Sequence, residues 1–215
     1  MPIAQATLDH LVLAAATLDQ GEDYIEAQLG VRPQRGGQHV AMGTHNSVLK
    51  LAMERVYLEL IAVDPAAVAP GRPRWFELDS PNMRAALAEG PRLIHWVART
   101  ADIEAARRAC PLDLGPARTM SRGSFAWRIT IPDDGHLPGR GLVPTLIQWS
   151  DERHPTDVLP AAGVRLVALA AAHPEPAPIR AALATLGLSD TLKVTFDVTP
   201  RLAAMLRTPR GTVTL

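Results

Sequence analysis

Apolar residues in this chain gather into short runs, and several of those runs alternate with polar positions. The runs at 8–15, 38–42, 47–53, 56–63, 92–99, 125–132 and 143–150 predict strands. Gly, Pro and Asp clusters separate several of them, notably Pro132-Asp133-Asp134-Gly135. Helix signals fall between the strands. Thr17 with Gln20 makes a capping box, Leu18, Ile25 and Leu29 share a face, and Gly30 suits the position just past the helix end. Ser80 can cap a second helix with Pro81 at its first position and Met83 and Leu87 on one face, and Gly90-Pro91 stops it. A third helix is expected from Asp102 to Cys110.

The order strand, helix, then two or three strands occurs twice, and the two copies carry polar residues at matching places. His10 sits in Leu8-Asp9-His10-Leu11-Val12, and His95 in Leu93-Ile94-His95-Trp96-Val97. Glu59 sits in the last strand of the first copy and Gln148 in the last strand of the second. A third, shorter copy follows, with a strand over 164–169, a helix over 178–186 closed by Gly187, and strands over 192–198 and 211–215. Its first strand, over 164–169, has no histidine, so it reads as structural. A period of about 80 residues is too long for a solenoid and suits a duplicated βαβββ module. The expected layout is a first module over 1–79, a connecting helix over 80–91, a second module over 92–160 and a truncated βαββ module over 161–215. One module alone leaves a sheet face bare, and pairing two modules covers it. The predicted class is α+β, with a cleft shared by the paired modules.

Composition narrows the functional classes. An apolar fraction of 47% supports a real core and argues against a disordered chain. The 22 basic and 22 acidic residues cancel, without a Lys/Arg block, which argues against nucleic-acid and anionic-membrane partners. Cys110 is the single cysteine, so no intramolecular disulfide forms and a reducing compartment is expected. The apolar run after His10 has no positively charged lead and is too short to span a bilayer. A soluble cytoplasmic protein is the expectation. No phosphate loop, nucleotide fingerprint or nucleophile elbow is present.

Several segments in order carry a family likeness. They are Gly36-Gly37-Gln38-His39, Gly43-Thr44-His45-Asn46 with Leu49, Tyr57-Leu58-Glu59-Leu60-Ile61, Ser121-Arg122 with Trp127-Arg128, and Arg207-Thr208-Pro209-Arg210-Gly211. With the duplicated βαβββ order, they resemble the vicinal oxygen chelate superfamily and, more narrowly, its glyoxalase-like domain family. The resemblance implies an open U-shaped sheet around a cleft. It also implies ligands on the first and last strands of each module, here His10, Glu59, His95 and Gln148. Imidazole and carboxylate or amide oxygens suit Zn²⁺, Ni²⁺, Mn²⁺ or Fe²⁺, with positions left open for substrate oxygens. Such a set would converge at about 2.0–2.3 Å from one centre. Glu59 would move the proton, because Gln148 cannot act as a base. Strand alternation would put Leu8, His10 and Val12 on one face, and Tyr57, Glu59 and Ile61 on one face.

Other side chains are candidates for ligand contact. His39, His45 and Asn46 flank a glycine-rich turn at the cleft rim, and Arg122 and Arg128 can clamp a carboxylate or phosphate. Pairing with a nearby acid is the blander reading of Arg128. Trp96, Trp127 and Trp149 read as core or cleft wall. The leading expectation is a metal-dependent isomerase or lyase acting on a small molecule with adjacent oxygen atoms. A metal-free binding protein of the bleomycin-resistance type is the second, and an Fe(II) ring-cleaving dioxygenase built on His10, His95 and Glu59 the third. Members of the superfamily often exchange modules within a homodimer, whereas this chain has enough modules to close its cleft alone.

Overall fold

A computed structural model describes residues 5–215. The first half contains β1 (Thr7–Ala14), α1 (Leu18–Leu29), β2 (Gln34–His39), β3 (Thr44–Lys50) and β4 (Tyr57–Val63). After α2 (Pro81–Glu89) the pattern repeats as β5 (Arg92–Arg99), α3 (Ile103–Ala109), β6 (Ala117–Arg122), β7 (Phe125–Thr130) and β8 (Thr145–Trp149). The local signals act as anticipated. Thr17 accepts from the Gln20 amide at 3.2 Å, and Gly30 takes φ +76° past the end of α1. Ser80 caps α2 through the Met83 amide at 3.1 Å.

These strands form one eight-stranded sheet in the order β2-β3-β4-β1-β5-β8-β7-β6. In each module the first and last strands pair in parallel, β1 with β4 and β5 with β8. The modules join where β1 and β5 run antiparallel. Each half is thus the same unit, and the antiparallel seam makes the sheet continuous. Its outer face packs on helices through Leu11, Leu13, Leu58, Leu60, Trp96 and Leu146. Val12, Ile61, Val97, Trp127, Ile129 and Ile147 form a separate cluster on the concave face. Full burial of one such aliphatic side chain stabilises by roughly 1.5–3 kcal/mol.

One irregularity decides what the concave face presents. Leu8 pairs with Ala98 but His10 pairs with Val97, so Asp9 is an extra residue in a bulge. Leu8 therefore joins the helix-side core, while His10 lines the concave cavity. Simple alternation, which would keep Leu8 and His10 together, is broken here. The outermost strands, β2 and β6, were poorly marked in the hydropathy pattern. β2 spans Gln34–His39, upstream of the expected run, and β6 falls where no strand was expected. Only His39 is buried in β2 and only Met120 in β6.

The third unit is β9 (Arg165–His173), α4 (Pro176–Thr185), β10 (Lys193–Phe196), β11 (Arg201–Thr208) and β12 (Gly211–Thr214). It forms its own sheet, in the order β10-β9-β11-β12. β11 is a strand beyond those read from the pattern. Leu166, Leu183 and Leu206 continue the helix-side core, and the Ala6 and Ala52 amides bond Leu186 and Val164 carbonyls at 3.0 and 2.7 Å. This unit braces the back of the large sheet and contributes no side chain to the concave cavity. No helix among the described residues is long and apolar enough to cross a membrane.

Candidate active site

The concave cavity has polar walls of His10, His39, Asn46, Tyr57, Glu59 and Arg122. Opposite them stand Trp75, Phe76, Trp127 and Trp149, with Ile129 and Ile147. About 350 Å³ of space free of protein atoms lies between these walls, part of it open to solvent. The first module supplies most of the polar groups together with Trp75 and Phe76, and the second supplies Trp127, Trp149, Ile129, Ile147 and Arg122.

A line of hydrogen bonds orders the polar groups. His154, fully buried in the loop after β8, takes the Thr156 amide on Nδ1 at 3.3 Å, which leaves Nε2–H to donate to Asp9 Oδ2 at 3.3 Å. Trp149 Nε1 donates to the same oxygen at 3.0 Å. His10 Nδ1–H donates to Asp9 Oδ1 at 2.7 Å, so its Nε2 faces the cavity side with a lone pair. That nitrogen lies 3.5 Å from Glu59 Oε2. Glu59 Oε1 accepts from Asn46 Nδ2 at 2.6 Å, and Asn46 Oδ1 accepts from Arg122 Nη1 at 2.7 Å and from the Gly37 amide at 3.1 Å. His10 also stacks on Tyr57, with ring centroids 4.5 Å apart. The tetrad Asp9, His10, Glu59 and Asn46 is therefore held from both ends.

Electrostatics follows from burial and pairing. Burial by itself would raise the Asp9 carboxyl, but hydrogen bonds from His10 and His154 hold it well below the usual carboxylate range. Burial pushes His39 down to about 4, against the opposing pull of Glu59. Tyr57 is pushed well up by burial and by the charges of Asp9 and Glu59. Asp9 is thus a fixed anion behind His10, and His39 is neutral near pH 7.

Two local features shape the walls. Phe76 and Glu77 adopt left-handed backbone with φ +59° and +56°, a strain of about 1–3 kcal/mol each for non-glycine residues. Glu77 is tied down by its amide to the Gly135 carbonyl at 2.8 Å and by the Leu137 amide to Oε1 at 3.1 Å. The turn seats Trp75 and Phe76 over the cavity. At the open side, a Cβ on Gly36 would lie 2.2 Å from Asn46 Oδ1, and one on Gly37 would lie 3.0 Å from Arg122 Cδ. This glycine pair lets Arg122, at the end of β6, cross to Asn46 on β3 and close the cavity between the two edge strands.

His95 and Gln148 stand apart from this cluster. His95 Nδ1–H donates to the Gly141 carbonyl at 3.0 Å, and Nε2 accepts from the Thr145 amide at 3.0 Å. Both ring nitrogens are spent on backbone, and burial pushes the group down to about 4. Its ring lies 5.3 Å from Phe76, which it props from below. Gln148 alternates with Ile147 and Trp149, which face the cavity, so it turns to the helix side. There Oε1 accepts from the Ile103 amide at 3.1 Å and Nε2 donates to Ala101 O at 2.8 Å, fastening the start of α3.

Arg128 shares that outward face and pairs with Glu104 of α3 at 2.5 Å. His45 alternates with Asn46 on β3 and likewise is not a wall of the cavity. His39, Asn46 and Arg122, also expected at the rim, do line it, while Trp96 is core, with its indole bonded to the Leu142 carbonyl at 3.0 Å. The four residues expected to hold a metal ion thus do not converge on one centre. Among the described residues no group of three or more His, Cys, Asp or Glu is arranged to hold an ion. The donor set His10, Glu59, His95 and Gln148 does not fit one metal.

Asp9, Trp75 and His154 were not singled out from the sequence. Asp9 had one legible signal, since a carboxylate inside an apolar strand must be paired to be buried. His154 had none, because its partner lies 145 positions away.

Two βαβββ modules sharing one curved sheet, with imidazole, carboxylate and amide on its concave face, define a protein of the vicinal oxygen chelate class. The chain belongs to the glyoxalase-like domain family, whose model matches residues 8–187. A hypothetical protein from Staphylococcus aureus has a similar structure, with TM-score 0.59 and 13% identity over 97% of this chain and 84% of the other. That likeness is one of fold. A methylmalonyl-CoA epimerase from Mycobacterium tuberculosis aligns more loosely, with TM-score 0.41 and 19% identity over 69% of this chain and 91% of the other. No curated protein matches the sequence.

Proposed function

We propose that the cavity is the active site of an isomerase or lyase that moves a proton on a small molecule with adjacent oxygen atoms. The observation that carries this reading is the facing pair His10 Nε2 and Glu59 Oε2 at 3.5 Å, with Asp9 fixed behind His10. Glu59 takes a proton from the carbon next to a carbonyl. His10 Nε2, with its lone pair, takes the proton of the hydroxyl on that carbon and passes it to the carbonyl oxygen, and Glu59 returns its proton to the former carbonyl carbon as the double bond shifts. Asn46 steers Glu59 so that Oε2 is the free oxygen. Asp9 and His154 act through His10 as positioning residues, and the aromatic walls keep bulk water from the reacting carbon.

The test is solvent exchange. Incubating the protein in D₂O with hydroxyacetone, dihydroxyacetone, lactate and pyruvate, and following the C–H signals by NMR, should reveal catalysed deuterium entry for at least one compound. Exchange should vanish in Glu59→Gln. If none of the compounds exchanges above background, or if Glu59→Gln exchanges like the parent, the reading fails. A metal-free binding protein is the second reading, favoured by the failure of the four expected ligands to converge. It requires saturable binding without exchange.

A further inference from the structure

Two side chains of the cavity wall belong to no step of the proton transfer. Arg122 has no carboxylate within ion-pair distance among the described residues, although it reaches into a buried site. Its Nη1 is engaged by the neutral Asn46 and stands 3.5 Å from His39 Nε2. The indole Nε1 of Trp75 is buried and has no hydrogen-bond partner, though the ring lines the same cavity. An orphaned buried donor costs roughly 1–3 kcal/mol, so one left in a cavity wall marks a place for an acceptor. The two side chains are neighbours through His39, whose ring meets Trp75 edge-on at 5.0 Å. Arg122 also lines a wider groove of about 490 Å³ outside the cavity, shared with Ser124 and Phe125. A single guanidinium thus lines both the inner cavity and the outer groove, beside Gly36, where a Cβ would meet Asn46 Oδ1.

We infer that the molecule this site takes is a small carboxylate, its carboxyl group held by Arg122 with the Trp75 indole as a second donor. This rests on the acid–base reading of His10 and Glu59 and adds the substrate class to it. A planar carboxylate matches the guanidinium fork and fits between aromatic walls. A phosphate dianion fits less well, since one cation would face it and Glu59 would repel it. With the carboxyl at Arg122, the adjacent carbon is presented towards Glu59, which Asn46 links to the same guanidinium.

Calorimetric titration of the whole protein with glycolate, lactate and pyruvate, beside lactamide and inorganic phosphate, tests this. At least one carboxylate should bind saturably at millimolar concentration, with lactamide and phosphate each weaker than it. Arg122→Gln should weaken that binding roughly 10- to 100-fold, and Arg122→Lys should restore part of it. Trp75→Phe keeps the ring and removes only the N–H, so its loss should be roughly 3- to 10-fold and does not hinge on the folding of an arginine variant. Glu59→Gln should bind the carboxylate at least as well as the parent while losing exchange, which separates failure of this inference from failure of the proton-transfer reading. Carboxylate binding no better than that of lactamide, tighter phosphate binding, unchanged affinity in both Arg122→Gln and Trp75→Phe, or no saturable carboxylate binding would each overturn it.

Discussion

The two modules put a histidine at the same place in the first strand and then use it in opposite ways. In the first, a bulge at Asp9 supplies a carboxylate to His10 Nδ1, and Nε2 is left facing Glu59. In the second, His95 bonds Gly141 and Thr145 with its two nitrogens and becomes a strut under Phe76. The last strands diverge in the same manner. Glu59 faces the cavity, whereas the residues facing it from β8 are Ile147 and Trp149, with Gln148 turned to α3. Duplication preserved the sheet and divided the labour: one half holds the acid–base groups, the other holds Arg122, and both contribute to the aromatic walls. The physical lesson is that a ring nitrogen already bonded to backbone has nothing left to offer a metal or a substrate.

The contrast can be tested by treating the halves alike. The largest effect should come from Glu59→Gln, which should lower the exchange rate roughly 100- to 10,000-fold with little change in Tm. If His95→Gln produced the same loss at unchanged stability, the division of labour would collapse. Next in size, His95→Ala should destabilise by about 3 kcal/mol in urea unfolding, because it opens a void and orphans the Gly141 carbonyl and Thr145 amide. His10→Ala should cost less stability and abolish exchange.

A third effect is acid sensitivity. His39 and His95 are both pushed down to about 4 from an ordinary 6.5. Between those values the unfolded chain binds more protons than the folded one, so stability rises with pH. It is fully present above the unfolded value and is lost as pH falls from about 6.5 towards 4, by on the order of a few kcal/mol in total. Urea midpoints across that range should fall with acid, and less steeply in His95→Gln; a flat profile would contradict neutral burial of the two rings. The smallest effect is expected from Gln148→Ala. Losing the clamp on α3 should cost about 1 kcal/mol and leave exchange unchanged. A large drop in exchange there would return Gln148 to the site.

Much of the architecture was readable before any coordinates. Thr17, Ser80, Gly30 and Gly90 marked helix ends because capping is a local matter of adjacent backbone groups. The matching histidine strands announced the duplication. β2 and β6 were harder, since edge strands with one buried side chain each carry almost no hydropathy signal. Of the site, His10, Glu59, His39, Asn46 and Arg122 were named from the sequence and do line the cavity. Asp9 and His154 were missed, and His95, Gln148, His45 and Arg128 were expected in it but face elsewhere.

Periodicity, caps and the internal repeat were enough to specify two βαβββ units and a smaller third, because those features depend on neighbours along the chain. Which side chain faces the cavity was settled only by tertiary structure. A bulge of one residue at Asp9 turned His10 inward, and strand alternation turned Gln148 outward. In a sheet a step of one residue reverses the face, and no count of apolar positions registers where pairing partners insert that step.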